Sequence, residues 1–209
     1  MPALEAVRLL PHKSFDQAQL VIFAGNRGYG KTTAMREYVG ALEPRVLCVD
    51  FFKDFGGKGG IQLAYSLADA LADLDESSAC RRRLVPSTLE SQAFGEHLWR
   101  VVFDDDEGAR DCLLVLDEIS LLSPQRASDA LRRVVNQGRR YGLRIATACQ
   151  RVQLVPDVMR HEATELVLFH TANPTDLEVL DEWVPRVDGV RASEVAPLLK
   201  IGECLYVQL

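Results

Sequence analysis

The sequence has no apolar run approaching the roughly 20 residues that a membrane-spanning helix needs. Its opening residues, MPALEAVRLLPHKSF, lack the basic-then-apolar order of a secretory leader. Both absences lead to the expectation of a soluble, intracellular protein. No CxxC pair occurs among Cys48, Cys80, Cys112, Cys149 and Cys204, and most sit in apolar runs, so reduced core thiols are expected instead of disulfides or a zinc site. There is no repeat and no low-complexity linker. No Asn-Lys-x-Asp stretch is present, which argues against guanine recognition. Lysine is scarce, at 5 against 19 arginines. A net charge of −6 argues against a protein that coats nucleic acid with its whole surface. The charge is uneven, however: Ala130 to Pro156 holds six arginines and no acid, which leaves room for a local basic face.

What is present is an ordinary globular balance, 47% hydrophobic and 26% charged, over 209 residues, enough for one α/β core. Strand-like and helix-like segments alternate, which implies a mostly parallel sheet flanked by helices. Strands are expected at Gln19–Ala24, Arg45–Asp50, Arg82–Val85, Cys112–Leu116, Leu143–Cys149, Leu166–His170 and Glu203–Gln208. The helix from Lys31 to about Leu42 carries Ala34, Met35, Tyr38, Val39 and Leu42 on one stripe and is stopped at Pro44. Further helices are expected at Ile61–Leu74, from a Ser87-x-x-Glu90 capping box to about Arg100, from a Ser123 cap with Pro124 at the first position to about Gly138, at Pro174–Trp183 and at Ala192–Leu199. Residues 1–18 are set apart as an N-terminal arm, and residues 19–209 as one domain.

Gly25-Asn26-Arg27-Gly28-Tyr29-Gly30-Lys31-Thr32 satisfies every fixed position of G-x-x-x-x-G-K-[ST], between an apolar strand and an amphipathic helix. Glycines let successive backbone N–H groups turn inward on phosphate oxygens, and the helix N-terminus adds partial positive charge. Lys31 can reach the β- and γ-phosphates of ATP, the Thr32 hydroxyl can ligate Mg²⁺, and Thr33 completes the cradle. The strand Leu113–Leu116 ends in Asp117 and Glu118 and is expected beside the phosphate-loop strand. Asp117 would hold Mg²⁺, and Glu118 would act as general base on the attacking water.

Two further features are less specific. Gln150 ends an apolar strand and could hydrogen-bond the γ-phosphate or the attacking water, or be an ordinary loop residue. Arg139 and Arg140 could supply a charge across a subunit interface, or simply be a solvated helix end.

Taken in order, the phosphate loop, LLVLDE, Gly138-Arg139-Arg140-Tyr141-Gly142, Thr147-Ala148-Cys149-Gln150-Arg151 and Asn173-Pro174-Thr175-Asp176-Leu177 resemble the HerA/FtsK superfamily of ring DNA translocases. The resemblance runs from about Gln19 to the C-terminus. The chain departs from the pattern by inserting Ala148-Cys149 before Gln150, and by Val152 where proline is usual, which leaves the role of Arg151 open. The resemblance implies a RecA-like (ASCE) P-loop NTPase fold, with the Gln150 strand between those of the phosphate loop and Asp117. It also implies Gln150 as sensor, Arg139 as the finger acting in trans, and a homo-oligomeric ring of five or six subunits on double-stranded DNA.

The short chain is most similar to genome-packaging ATPases of tailless, membrane-containing icosahedral phages. Portal or vertex proteins would be partners, and the host cytoplasm or virion the location. Lys53, Lys58 and Arg81–Arg83 are candidate DNA contacts, or simply solvated charges. Alternatives are a cellular or plasmid DNA-pumping or conjugation motor, a filamentous-phage assembly ATPase, a P-loop small-molecule kinase and a non-catalytic nucleotide-binding module.

Overall fold

The computed structural model describes residues 19–42, 45–56, 61–76, 79–104, 108–186 and 189–209. The expected arm at residues 1–18, Pro44, Lys58 and part of the acidic loop after Asp104 lie outside the described residues. One sheet holds eight strands: β1 (Leu20–Ala24), β2 (Arg45–Val49), β3 (Gln62–Leu63), β4 (Cys80–Leu84), β5 (Leu113–Leu116), β6 (Arg144–Cys149), β7 (Glu165–Leu168) and β8 (Leu205–Gln208). Their spatial order is β3-β4-β2-β5-β6-β1-β7-β8. All pairings are parallel except β7 with β8.

The strands β1, β5 and β7 are buried along their whole length because both faces of the sheet are covered, as parallel sheets require. The two covers are unequal. On one face, Val21, Phe23, Val46, Cys48, Val115 and Ala146 pack against α1 (Lys31–Leu42) through Ala34, Met35, Tyr38 and Val39. The opposite face carries α2 (Leu67–Glu76), α3 (Ser91–Val102), α4 (Ile119–Leu122), α5 (Asp129–Gln137), α6 (Asp157–Glu162), α7 (Pro174–Trp183) and α8 (Ala192–Val195). All five cysteines are buried and none forms a disulfide. No helix among the described residues is long and apolar enough to cross a membrane.

Four local expectations are corrected. The segment Ile61–Leu74 is not one helix: Gln62–Leu63 adds an edge strand, and Ser66 Oγ accepts from Asp69 N to start α2 one residue later. Ser123 does not cap a long helix, because it ends the short α4. Ser128 caps α5 by accepting from Leu131 N. Ser87 accepts from Leu89 N and opens a 3-10 turn, with α3 following from Ser91, so the reciprocal half of a capping box is missing. Pro197, lacking an N–H, divides the last helix into α8 and a 3-10 turn. The β5 strand also lies one place away from β1, with β6 between them, as the resemblance implied and as the simpler expectation of adjacency did not.

Glu165 enters the sheet at β7, is 3% exposed, and has one carboxylate oxygen without a partner. Burial pushes its pKa up to about 7, opposed by a hydrogen bond from Tyr206. A carboxyl raised in the folded state carries no penalty below its unfolded pKa and a growing one as pH rises towards 7. Glu165→Gln should therefore stabilise the fold at pH 8 by on the order of 1–3 kcal/mol and change it little near pH 4.5, read from urea unfolding at the two pH values.

Candidate active site

The phosphate loop leaves β1 at Gly25, whose φ of 133° is open to glycine alone. A Cβ there would sit 2.7 Å from the Phe169 carbonyl oxygen. Gly25 N donates to Cys149 O, and Asn26 N donates to His170 O at 2.7 Å, so the ends of β6 and β7 brace the loop from both sides. Tyr29 stacks on His170 with ring centres 4.5 Å apart, and its carbonyl accepts from Gly202 N. These contacts fix the loop ahead of α1.

Lys31 is buried, and its Nζ donates to Asn26 O at 2.8 Å, which keeps the ammonium inside the loop it serves. Burial lowers its pKa, while Glu118 and Asp117 pull in the other direction. Facing it across a cleft of about 460 Å³ are Asp117, Glu118 and Gln150, with Arg27, Thr32, Thr33, Phe52 and Asp54 completing the walls. Parallel register produces this convergence: β5, β6 and β1 end side by side, so the residues just beyond them meet.

The two acids differ in their surroundings. Asp117 is 5% exposed and its Oδ2 has no hydrogen-bond partner. Its pKa is pushed up to about 7 by burial first, then by the neighbouring Asp50, Asp54 and Glu118. A buried, orphaned carboxylate oxygen beside other acids fits a divalent cation, and Thr32 lines the same cleft. Magnesium typically takes one or two protein oxygens with waters and substrate phosphates, a set these residues suit. Glu118 is raised by burial, but three groups restrain it: Ser120 Oγ donates to Oε1 at 2.6 Å, and the Cys149 thiol and the Gln150 main chain also bond to its carboxylate.

Sequence reasoning missed Asp50, Asp54 and Phe52. A signal for Asp50 was present, since it ends β2 as Asp117 ends β5, and these strands pair with Val49 opposite Leu116. Asp50 is fully buried, accepts from Asp54 N and Phe55 N, and is bridged by Arg83 at 3.0 Å. That bridge gives Arg83 a partner inside the fold. Arg82 pairs with Asp73, and Arg81 donates to Val39 O, so all three serve the fold. The arginine-rich stretch is likewise engaged in part, with Arg132 on Asp157, Arg151 on Asp176 and Arg133 over the Phe103 ring.

Arg139 and Arg140 are not brought into this cleft. They lie in a 3-10 turn at Gly138–Tyr141, ahead of β6, whereas Gln150 lies just beyond its other end. Six residues of strand separate the two ends by roughly 20 Å. Lys53 is exposed on the turn after β2 with φ 62°.

Residues 13–155 match the AAA domain family, a span that includes the phosphate loop, both acids and Gln150. The chain belongs to the AAA domain family. No curated protein sequence matches it. This AAA domain is similar in fold to the genome packaging NTPase B204 of Sulfolobus turreted icosahedral virus 2. Against that protein in complex with ATP-gammaS, identity is 18%, coverage is 91% of each chain and the TM-score is 0.70. Against its complex with AMP, identity is 19%, coverage is 91% and 92%, and the TM-score is 0.68. The pCW3 conjugation coupling protein TcpA is also similar, at 12% identity and a TM-score of 0.55, over 93% of this chain and 60% of that one. At these identities the likeness establishes a P-loop NTPase fold with a mostly parallel eight-stranded sheet.

Asp117→Asn removes a buried charge that has one oxygen without a partner. The variant should melt higher than wild type at pH 8 without magnesium, and magnesium should stabilise the wild type but not the variant. Differential scanning calorimetry with and without MgCl₂ reads both effects.

Proposed function

We propose that this AAA domain hydrolyses Mg-ATP and uses the cycle to move double-stranded DNA through a homo-oligomeric ring. The observation carrying the catalytic half is the meeting of Lys31, Asp117, Glu118 and Gln150 in one cleft from three adjacent strand ends. The turned backbone of Gly25–Gly30 receives the phosphates, and Lys31 offsets charge between the β- and γ-positions. Thr32 and Asp117 would hold Mg²⁺, which neutralises phosphate charge when bound.

Glu118 accepts a proton from the attacking water. Its donors orient the carboxylate, and its raised pKa makes it a stronger base than a solvated glutamate. Gln150, from the middle strand, hydrogen-bonds the γ-phosphate or the attacking water and so senses which nucleotide is bound. A small-molecule kinase would need an acceptor pocket, and the self-supplied base Glu118 favours water as the nucleophile.

The DNA half is supported by the fold shared with a viral packaging NTPase over nine-tenths of both chains and by the HerA/FtsK-like order of motifs. The position of Arg139 favours a ring. It lies roughly 20 Å from its own cleft, which is compatible with a role at a neighbour's site. Packaging of a viral genome in the host cytoplasm or at a virion vertex, with a portal or vertex protein as dock, is the reading we favour. A conjugation-type motor is the second reading, supported by the fold shared with TcpA.

Glu118→Gln should bind ATP with an affinity within about threefold of wild type and turn it over at least about 100-fold more slowly, measured by nucleotide filter binding and phosphate release. Appreciable turnover by this variant would remove Glu118 as the base. Doping Arg139→Ala subunits into wild-type protein should lower turnover more than in proportion to their fraction. A strictly proportional loss would place the finger elsewhere.

A further inference from the structure

The cleft residues are held from behind by a carboxylate that touches none of the positions assigned to nucleotide. Asp176 lies in the first turn of α7, is fully buried, and collects three donors. Arg151 Nε reaches its Oδ2 at 2.8 Å, and Thr171 Oγ1 reaches the same oxygen at 3.4 Å. Gln153 N donates to Oδ1 at 3.0 Å. Position in the first turn adds the helix dipole, and Asn173 Oδ1 caps the same turn by accepting from Thr175 N and Asp176 N. Arg151 and Gln153 flank Val152, so one carboxylate grips the chain on both sides of the first residue of the 3-10 turn Val152–Leu154.

That grip is applied one residue beyond Gln150. It is passed inward by two further contacts. The Cys149 thiol donates to Arg151 O at 3.0 Å and stands beside the Glu118 carboxylate, as does the Gln150 main chain. A thiol has one hydrogen and can donate to only one of these acceptors at a time. The base Glu118, the sensor Gln150, Arg151 and Asp176 thus form one connected series ending on α7. A buried carboxylate is tolerated only while its partners stay in place, since losing one leaves a desolvated charge uncompensated. Displacing Arg151 would therefore disturb the whole series.

We propose that Arg151 and Asp176 are positioning residues for hydrolysis: their ion pair sets where Gln150 and its main-chain N–H stand relative to Glu118. This rests on the ATPase reading above. It gives a purpose to the pairing of Gln150-Arg151 with Asn173-Pro174-x-Asp176, which lie 25 residues apart in sequence at the Arg151–Asp176 contact. It also separates this pair from Arg132–Asp157, an ion pair with both partners more than a third exposed and with no link to the cleft.

Arg151 is 35% exposed, so Arg151→Ala should fold, whereas Asp176→Asn carries the greater risk. The test compares wild type, Arg151→Ala, Arg151→Lys and Arg132→Ala by kcat, by binding of a non-hydrolysable ATP analogue, and by amide hydrogen exchange at Gln150 and Gln153. Arg151→Ala should lower kcat about 10- to 100-fold with analogue affinity within about threefold, and should speed exchange at both amides. Arg151→Lys, which keeps the charge, should recover part of both, and Arg132→Ala should leave both unchanged. A folded Arg151→Ala with wild-type kcat or wild-type exchange at Gln153 would overturn the positioning role. So would an equal loss of kcat in Arg132→Ala. Absence of ATP turnover in the wild type would instead overturn the ATPase reading, and with it the role given to this pair.

Discussion

Like charge crowded into a buried space governs this structure. Asp50, Asp117 and Glu118 sit at neighbouring strand ends with little access to water, and Asp54 stands at the cleft wall. Each burial costs free energy unless a donor or cation compensates it. Asp50 receives that compensation from Arg83 and two backbone N–H groups. Glu118 receives it from Ser120, Cys149 and the Gln150 main chain. Asp117 receives too little, and one oxygen is left bare. The fold thus carries a deficit of positive charge where a metal nucleotide would supply it. Under the proposed function, binding of Mg-ATP would offset this uncompensated charge.

The sheet makes this possible. Parallel strands place every carboxyl end on one side of the molecule, so residues far apart in sequence meet at a single level. The same geometry places every preceding turn on the other side, and Arg139 and Arg140 are there. Under the proposed function, a second copy would bring these arginines to the phosphate cradle at the other end of its neighbour. Among the described residues α1 is the only helix on one face of the sheet, so the two faces have different surroundings as well.

Much of the site was legible because its signals are local. The phosphate loop is contiguous, and Asp117-Glu118 directly follow an apolar strand, so pattern and context fall within a few residues. The parallel sheet followed from alternating elements. The helix at Pro174–Trp183 was read correctly because Asn173 and Pro174 form a local start signal. What was not legible depends on distant partners. Arg81–Arg83 look like a solvated basic run, yet their partners are Val39, Asp73 and Asp50. Arg151 had no evident role until Asp176 was seen beneath it. The boundary errors at Ser66, Ser123 and Ser128 arose because several hydroxyls compete to cap, and tertiary packing decides which one does.

The most direct test of the central claim is steady-state ATP hydrolysis by the wild-type chain at low salt, with and without double-stranded DNA, across a range of protein concentration. Shared active sites in a DNA motor predict stimulation by DNA and a rate that rises faster than linearly with protein. Turnover that ignores DNA and stays linear in protein would contradict the account, leaving a self-contained NTPase.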